Sequence, residues 1–271
     1  MKPIFLKACA ATLAAIALAG AANAHRAWLL PSSFTLSGEN QWVAVDGAVS
    51  NNLFYPNHNA IRLDTLKVYA PDGELVEAQN AVTGKYRSAF DVKLEKEGTY
   101  RITTGGDGYM ASWTENGEIK RWRGTPETLK SEGIGSKPEV SISRNVRRVE
   151  TFVTLGSPTT GVFATEGTGL ELKPVTHPND VFVGEEVRFQ LLADGAPAAG
   201  VEVDVILGHD RYRDAEGGLK RVTDANGILS FTPDVAGPYW LSAESESKGE
   251  LDGKEIKVRN TYVMTFEALP L

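Results

Sequence analysis

The chain has 271 residues, with 28 Lys+Arg against 35 Asp+Glu, four His, one Cys and a formal net charge of −7. Its length suits one large or two ordinary domains, and 42% hydrophobic residues beside 23% charged supply a core and exclude a disordered acidic tail. The acidic balance excludes a nucleic-acid binder that works by neutralising phosphates, and a lone Cys excludes a disulfide framework or a Cys-rich zinc site.

Residues 1–24 read as a secretory signal. Lys2 and Lys7 give a basic start, an apolar run follows over 8–20, and Ala22-Asn23-Ala24 places small residues at −3 and −1. The run is too short to span a bilayer comfortably, and no later segment is long and apolar enough. The only Cys, Cys9, leaves with the signal. The mature protein is predicted to be cysteine-free, periplasmic and not membrane-spanning.

Cleavage after Ala24 exposes His25 as the first residue. A free α-amine and its own imidazole can then chelate one metal ion, completed by a second His elsewhere. This histidine-brace arrangement suits copper and also nickel or cobalt. Cleavage after Ala22 instead gives Asn23-Ala24-His25, where the amine, two deprotonated amides and the imidazole form a square-planar site for Cu(II) or Ni(II). Cleavage after Ala21 would put the His fourth and spoil both, so two of the three plausible cuts create an N-terminal metal site.

Strand-like runs follow at 42–49, 65–70, 89–94, 99–103 and 148–155, punctuated by turns such as Pro71-Asp72-Gly73. Helical periodicity is confined to a turn or two at 126–130. Gly, Ser, Pro and Thr crowd 157–169, which reads as a linker between an N-terminal domain over 25–156 and a C-terminal domain over 170–271. The second domain carries further runs at 187–192, 201–206, 228–231, 236–243 and 261–269, in an order that resembles small immunoglobulin-like or transthyretin-like modules. The predicted fold class is all-β: an N-terminal β-sandwich-like domain followed by an immunoglobulin-like β-sandwich.

The mature His residues are His25, His58, His177 and His209. His58 lies in an Asn- and aromatic-rich loop between two strand runs, the kind of segment that carries ligands on a stiff scaffold. It is the candidate partner of His25. Asp46 and Asp64 flank that loop as a third ligand, an orienting partner or simply exposed carboxylates. His177, beside Pro178, reads as a structural turn, and His209 as a loop or interface residue. No His-Glu-x-x-His, Gly-x-Ser-x-Gly or phosphate-cradling Gly loop occurs, and no spacing singles out a Ser/His/Asp triad. Tyr109, Trp113 and Trp122 form an aromatic group near Arg121 and Arg123; it reads as a cover over one end of the sandwich, with a sugar platform as the alternative.

Several phrases in order carry a family likeness. They are His25-Arg26-Ala27-Trp28-Leu29-Leu30-Pro31, Ser50-Asn51-Asn52-Leu53-Phe54 leading to His58, Arg62-Leu63-Asp64, Lys120-Arg121-Trp122-Arg123-Gly124-Thr125, Val149-Glu150-Thr151-Phe152-Val153-Thr154 and the stretch 169–180. Together they resemble a bacterial periplasmic family filed as a domain of unknown function and commonly labelled a periplasmic component of nickel or cobalt uptake. The resemblance implies a non-enzymatic, metal-binding accessory protein working beside a transition-metal importer or an outer-membrane receptor, with His25 and His58 at positions that matter. Asn57 and Asn59 flank His58 where many members carry a second His.

The expected function is therefore periplasmic binding of a divalent transition metal, nickel, cobalt or copper, through His25 and His58. Two alternatives stay open: a histidine-brace copper oxidase resembling polysaccharide monooxygenases, and a metal-free structural module of the envelope.

Overall fold

The computed structural model describes residues 25–208, 211, 213 and 218–271. The signal segment at 1–24 and His209 lie outside the described residues.

The first strands are β1 (Arg26–Pro31), β2 (Thr35–Leu36), β3 (Gln41–Ser50), β4 (Asn59–Ala60), β5 (Lys67–Tyr69), β6 (Leu75–Val76), β7 (Gln79–Thr83), β8 (Ser88–Leu94), β9 (Gly98–Glu115) and β10 (Glu118–Gly124). A short helix, α1 (Pro126–Ser131), precedes β11 (Ser141–Leu155). Then come β12 (Leu170–Pro174), β13 (Val187–Ala193), β14 (Ala196–Pro197), β15 (Glu202–Leu207), β16 (Leu219–Val222), β17 (Ile228–Phe231), β18 (Gly237–Leu251) and β19 (Lys254–Ala268).

The fold is all-β, as the alternating runs require. β8 buries every second residue, Ser88, Phe90, Val92 and Leu94, the signature of a strand with one face on a core. Its sheet runs β1-β3-β8-β7, with β4 also on β3. Val43, Val45, Phe90 and Val92 of this sheet share one core with Val68, Tyr100, Ile102 and Val153 of β5, β9 and β11. A second core lies between β13 and β17 on one side and β15, β18 and β19 on the other. Phe189, Leu191 and Phe231 meet Val205, Leu241, Met264 and Phe266 there, an immunoglobulin-like sandwich. Each such fully buried side chain contributes roughly 1.5–3 kcal/mol.

One sheet runs through both halves of the chain, in the order β16-β15-β18-β19-β11-β9-β5-β6. Its seam is the parallel pairing of β11 with β19, from Ser143 opposite Lys257 to Thr151 opposite Thr265. Within 157–169 a turn of 3-10 helix, Gly161–Phe163, buries Val162 in the second core. Trp240 and Val263 reach into the first core, so side chains as well as backbone cross the seam.

A cluster of charges reinforces it. Arg101 and Arg148 approach the buried Glu150 at 3.9 and 3.7 Å, and Tyr262 Oη donates to Glu150 at 3.1 Å. Burial raises the Glu150 pKa, opposed by the two guanidinium groups. Glu171, also buried, accepts from the backbone N–H groups of Glu166 and Gly167 at 2.7 and 2.8 Å, which holds the turn entering β12.

Candidate functional site

His25 and His58 meet. Their rings stack with centroids 3.5 Å apart and planes 7° from parallel. The topology explains the contact. β1 pairs antiparallel with one edge of β3, Arg26 opposite Ser50, and β4 pairs antiparallel with the other edge, Asn59 opposite Val49. Both therefore start where β3 ends, and each His is the residue just before its strand. Two strand spacings, about 9–10 Å, separate β1 from β4, a gap that two imidazole side chains close from either side.

The frame around the pair is stiff. Ala27, Trp28 and Leu29 of β1 are buried. Trp28 Nε1 donates to Ser50 Oγ at 2.8 Å, and Ser50 Oγ donates to the Asn52 carbonyl at 2.6 Å. In the 51–58 loop, Asn57 Oδ1 accepts from Asn51 N–H at 2.8 Å and Asn57 Nδ2 donates to Asn52 Oδ1 at 3.1 Å. Leu53 is fully buried, and Phe54, at φ 63°, packs edge-on against Trp28 with centroids 5.6 Å apart. The C-terminal half holds the same frame. Trp240 Nε1 donates to the Ala27 carbonyl at 2.8 Å, and the Arg26 guanidinium lies 5.7 Å from the Trp240 ring centroid. A Cβ on Gly208 would sit 2.4 Å from a ring carbon of Phe54, so only glycine lets the loop pack there.

His25 is exposed and His58 half-buried, so the pair is open to solvent. An imidazole lone pair lies in its ring plane. One metal ion cannot lie in two parallel planes, so ligation by both rings requires one to turn about its side-chain bonds. The exposed His25 is the freer of the two. Among the described residues no group of three or more His, Cys, Asp or Glu stands close enough to hold a metal. Two imidazoles are a nitrogen donor set that fits copper or nickel by ligand type.

The other candidates are engaged elsewhere. Asp64 forms a two-point pair with Arg62, at 3.0 and 2.5 Å, and that hydrogen bonding lowers its pKa. Asp46 faces Arg87 at 3.4 Å. His177 lies apart from the pair, wedged between Thr99 Oγ1 at 3.0 Å, the Thr159 carbonyl at 3.1 Å and the N–H of Asn179. Tyr109 and Leu129 form a small core under α1, onto which Trp113 and Trp122 pack, and Trp122 Nε1 donates to Glu132 at 2.9 Å. The aromatic group thus covers a mini-core.

The same end of the molecule carries a feature the sequence left unmarked. A cleft of about 910 Å3 opens beside β4, one residue beyond His58, and is walled by β9, β10 and β11. Lys85, Arg123 and Arg147 stand on it. Only Arg123 is conspicuous in sequence, because the other two come from unrelated segments.

The family follows from residues 22–247, which match the model of a domain of unknown function, DUF4198. The chain belongs to the DUF4198 family. No curated protein matches the sequence. Among solved structures, it is similar to a DUF4785 family protein from Legionella pneumophila, with 9% identity over 79% of this chain and 50% of that one, at TM-score 0.25. Trypsin-activated α2-macroglobulin from Escherichia coli is 12% identical over 89% of this chain and 16% of that one, at TM-score 0.22. The D0–D1 domain of intimin is 12% identical over 86% of this chain and 96% of its own length, at TM-score 0.21. This DUF4198 chain spans half the length of the first of these relatives and less of the second. Among its described residues no helix is long and apolar enough to cross a membrane.

Proposed function

We propose that this protein is exported to the periplasm and binds one divalent transition-metal ion, copper, nickel or cobalt, through His25 and His58. The observation that carries this reading is the stacked His25–His58 pair, built from residues 33 positions apart on opposite edges of β3. The third protein donor is the α-amine of His25, freed when the signal is cut after Ala24. Two imidazoles and an amine hold a borderline metal and leave further coordination positions open. Such a site can receive an ion and pass it on, which suits an accessory protein beside a metal importer or an outer-membrane metal receptor. Ligation needs neutral nitrogens, so protons compete with the metal and affinity falls as pH falls.

The test is the intact mass of protein recovered from the periplasm, with metal titration on the same sample. A mass beginning at His25 and one tightly held Cu(II), Ni(II) or Co(II) is expected. A chain beginning at Asn23 that binds metal independently of His58 would replace the brace with the three-residue chelate. No uptake at micromolar metal would leave a structural envelope module. Peroxide-driven oxidation of a polysaccharide by the copper-loaded protein would make it an oxidase.

A further inference from the structure

The cleft beside β4 is built around one bare stretch of sheet. Gly106, Gly108 and Met110 lie two residues apart on β9 and so share a face. On β11, Arg147 pairs with Gly106 and Asn145 with Gly108. On β10, at the other edge of β9, Arg123 pairs with Met110. Directly opposed residues of neighbouring strands project to the same side, so Arg147, Asn145 and Arg123 all rise from the face of Gly106 and Gly108. All of them line the cleft. The two glycines leave no side chain on the central strand between the two arginines, and a Cβ built on Gly106 meets nothing within 4 Å.

The edge of β9 is also open at this point. β5 covers it as far as Thr103 and β10 begins at Tyr109. Between them, among the described residues, one bridging contact is made to the backbone, from Gly105 N–H to Thr65 Oγ1 at 3.2 Å. Main-chain polar groups of 106–108 therefore have no strand neighbour on that side among the described residues.

The charge of the cleft runs against that of the chain. The protein carries −7 overall. The two carboxylates on the cleft are both neutralised, Asp64 by Arg62 and Asp107 by a two-point pair with Arg144. Among the described residues no carboxylate pairs with Lys85, Arg123 or Arg147. Lys85 lies over the Tyr86 ring at 5.1 Å, and Arg123 reaches the Met110 sulfur at 3.9 Å. Burial above all, and then repulsion from Arg123, lower the Arg147 pKa, with the charge of Glu244 opposing; an anion placed here would offset the repulsion between the two guanidinium groups. Arg147 and Arg123 nonetheless keep much of their surface open to the cleft.

We propose that this cleft binds a small organic polycarboxylate, with one carboxylate held by Arg123, another by Arg147 and the carbon body over the Gly106–Gly108 floor. Guanidinium forks match carboxylates two-point to two-point, and a volume near 910 Å3 falls in the range of small-molecule sites. Apolar groups, among them Val49 and Val149, line the same cleft and suit a carbon skeleton better than a bare inorganic ion. The site uses neither imidazole and stands independently of the metal reading.

Calorimetric titration of the purified protein with citrate at low ionic strength tests it, with acetate and inorganic phosphate as comparison arms. One citrate per chain is expected, bound more tightly than either comparison anion and weakened by added salt. Arg123→Gln and Arg147→Gln should each weaken citrate at least about tenfold, the scale of one lost charge-assisted hydrogen bond. Gly106→Val, whose φ lies outside the left-handed region, should fill the floor and abolish binding while the melting temperature stays near wild type. His58→Ala should leave citrate binding unchanged. Absence of saturable citrate binding would overturn the proposal, as would wild-type affinity in both arginine variants or phosphate binding as tight as citrate. Thermal melts of each variant separate lost binding from lost fold, and Arg123, exposed on β10, is the variant least tied to folding.

Discussion

The indole N–H of Trp240 donates a 2.8 Å hydrogen bond to the carbonyl of Ala27, across 213 residues of chain. Ala27 lies two residues after His25, so the C-terminal half of the protein fixes where the candidate metal site begins. Trp240→Phe keeps most of the ring but leaves that buried carbonyl without a donor, at a cost of about 1–3 kcal/mol. It also thins the contact beneath Arg26. A lower urea midpoint with unchanged slope is expected, together with faster amide exchange in β1 than in β13. Equal loss of protection in both strands would mean that Trp240 stabilises the whole fold and has no special hold on β1.

On the proposed reading, a cut after Ala24 makes the new N-terminus part of the site. His58→Ala should cost at least about tenfold in copper or nickel affinity, because one of three protein donors is removed. Adding one residue before His25, or acetylating its amine, should do the same while leaving His58 intact. Titration calorimetry with a competing chelator reads both. Metal affinity that survives the blocked amine would remove the brace and leave only a surface imidazole pair.

Much of the strand framework was legible because one-sided burial leaves an alternating pattern, as in β8. The runs at 42–49 and 228–231 fall on β3 and β17 almost residue for residue. Strand ends were harder. β18 and β19 each run 15 residues. The outer part of β18, around Glu244–Glu250, is mostly exposed and polar, so no apolar period marks it, and the alternation at the start of β19 rests on Ile256 and Val258 alone among charged neighbours. β1 hides for the opposite reason: Ala27, Trp28 and Leu29 are all buried, which reads as a plain apolar run. The meeting of His25 and His58 depends on β1 and β4 taking opposite edges of β3, which is a matter of pairing rather than pattern. The arginine cleft depends on cross-strand register between three strands, and a one-residue slip would scatter it.

Gly105 sets that register. Its φ is +154°, and a Cβ there would lie 2.0 Å from the Arg147 carbonyl oxygen, a backbone atom on the paired strand. Neither strain nor clash can be relieved by turning a side chain, so β9 and β11 would have to separate. Gly105→Ala should destabilise the fold by more than the ~1 kcal/mol of an ordinary glycine replacement at positive φ. It should also weaken citrate binding, because Arg147 moves with its carbonyl. The neighbouring Gly106→Ala meets open space and should leave the melting temperature nearly unchanged, so the pair of variants separates steric register from general glycine effects.

His177 gives the protein a pH dependence that is unrelated to metal. Its Nδ1 accepts the N–H of Asn179 at 3.0 Å, so that nitrogen must be unprotonated, while Nε2 lies 3.1 Å from the Thr159 carbonyl, to which it donates. Burial lowers the His177 pKa below its usual 6.5, with the Thr159 hydrogen bond and the charge of Asp180 opposing. The folded state therefore binds this proton more weakly than the unfolded chain does. Stability from His177 is fully present above the unfolded value, near 6.5, and is lost as pH falls through the lower folded value. The loss would be felt around Asn179, whose side-chain amide donates to the carbonyls of Phe34 and Phe152 at 3.2 and 2.9 Å and so ties the segment before β13 to the first sandwich. Urea unfolding at about pH 7.5 and about pH 5 should show a steeper decline for wild type than for His177→Gln, which has no proton to gain in that window. Parallel declines in the two proteins would place the acid sensitivity elsewhere, with the buried carboxylates Glu150 and Glu171 as the next groups to replace.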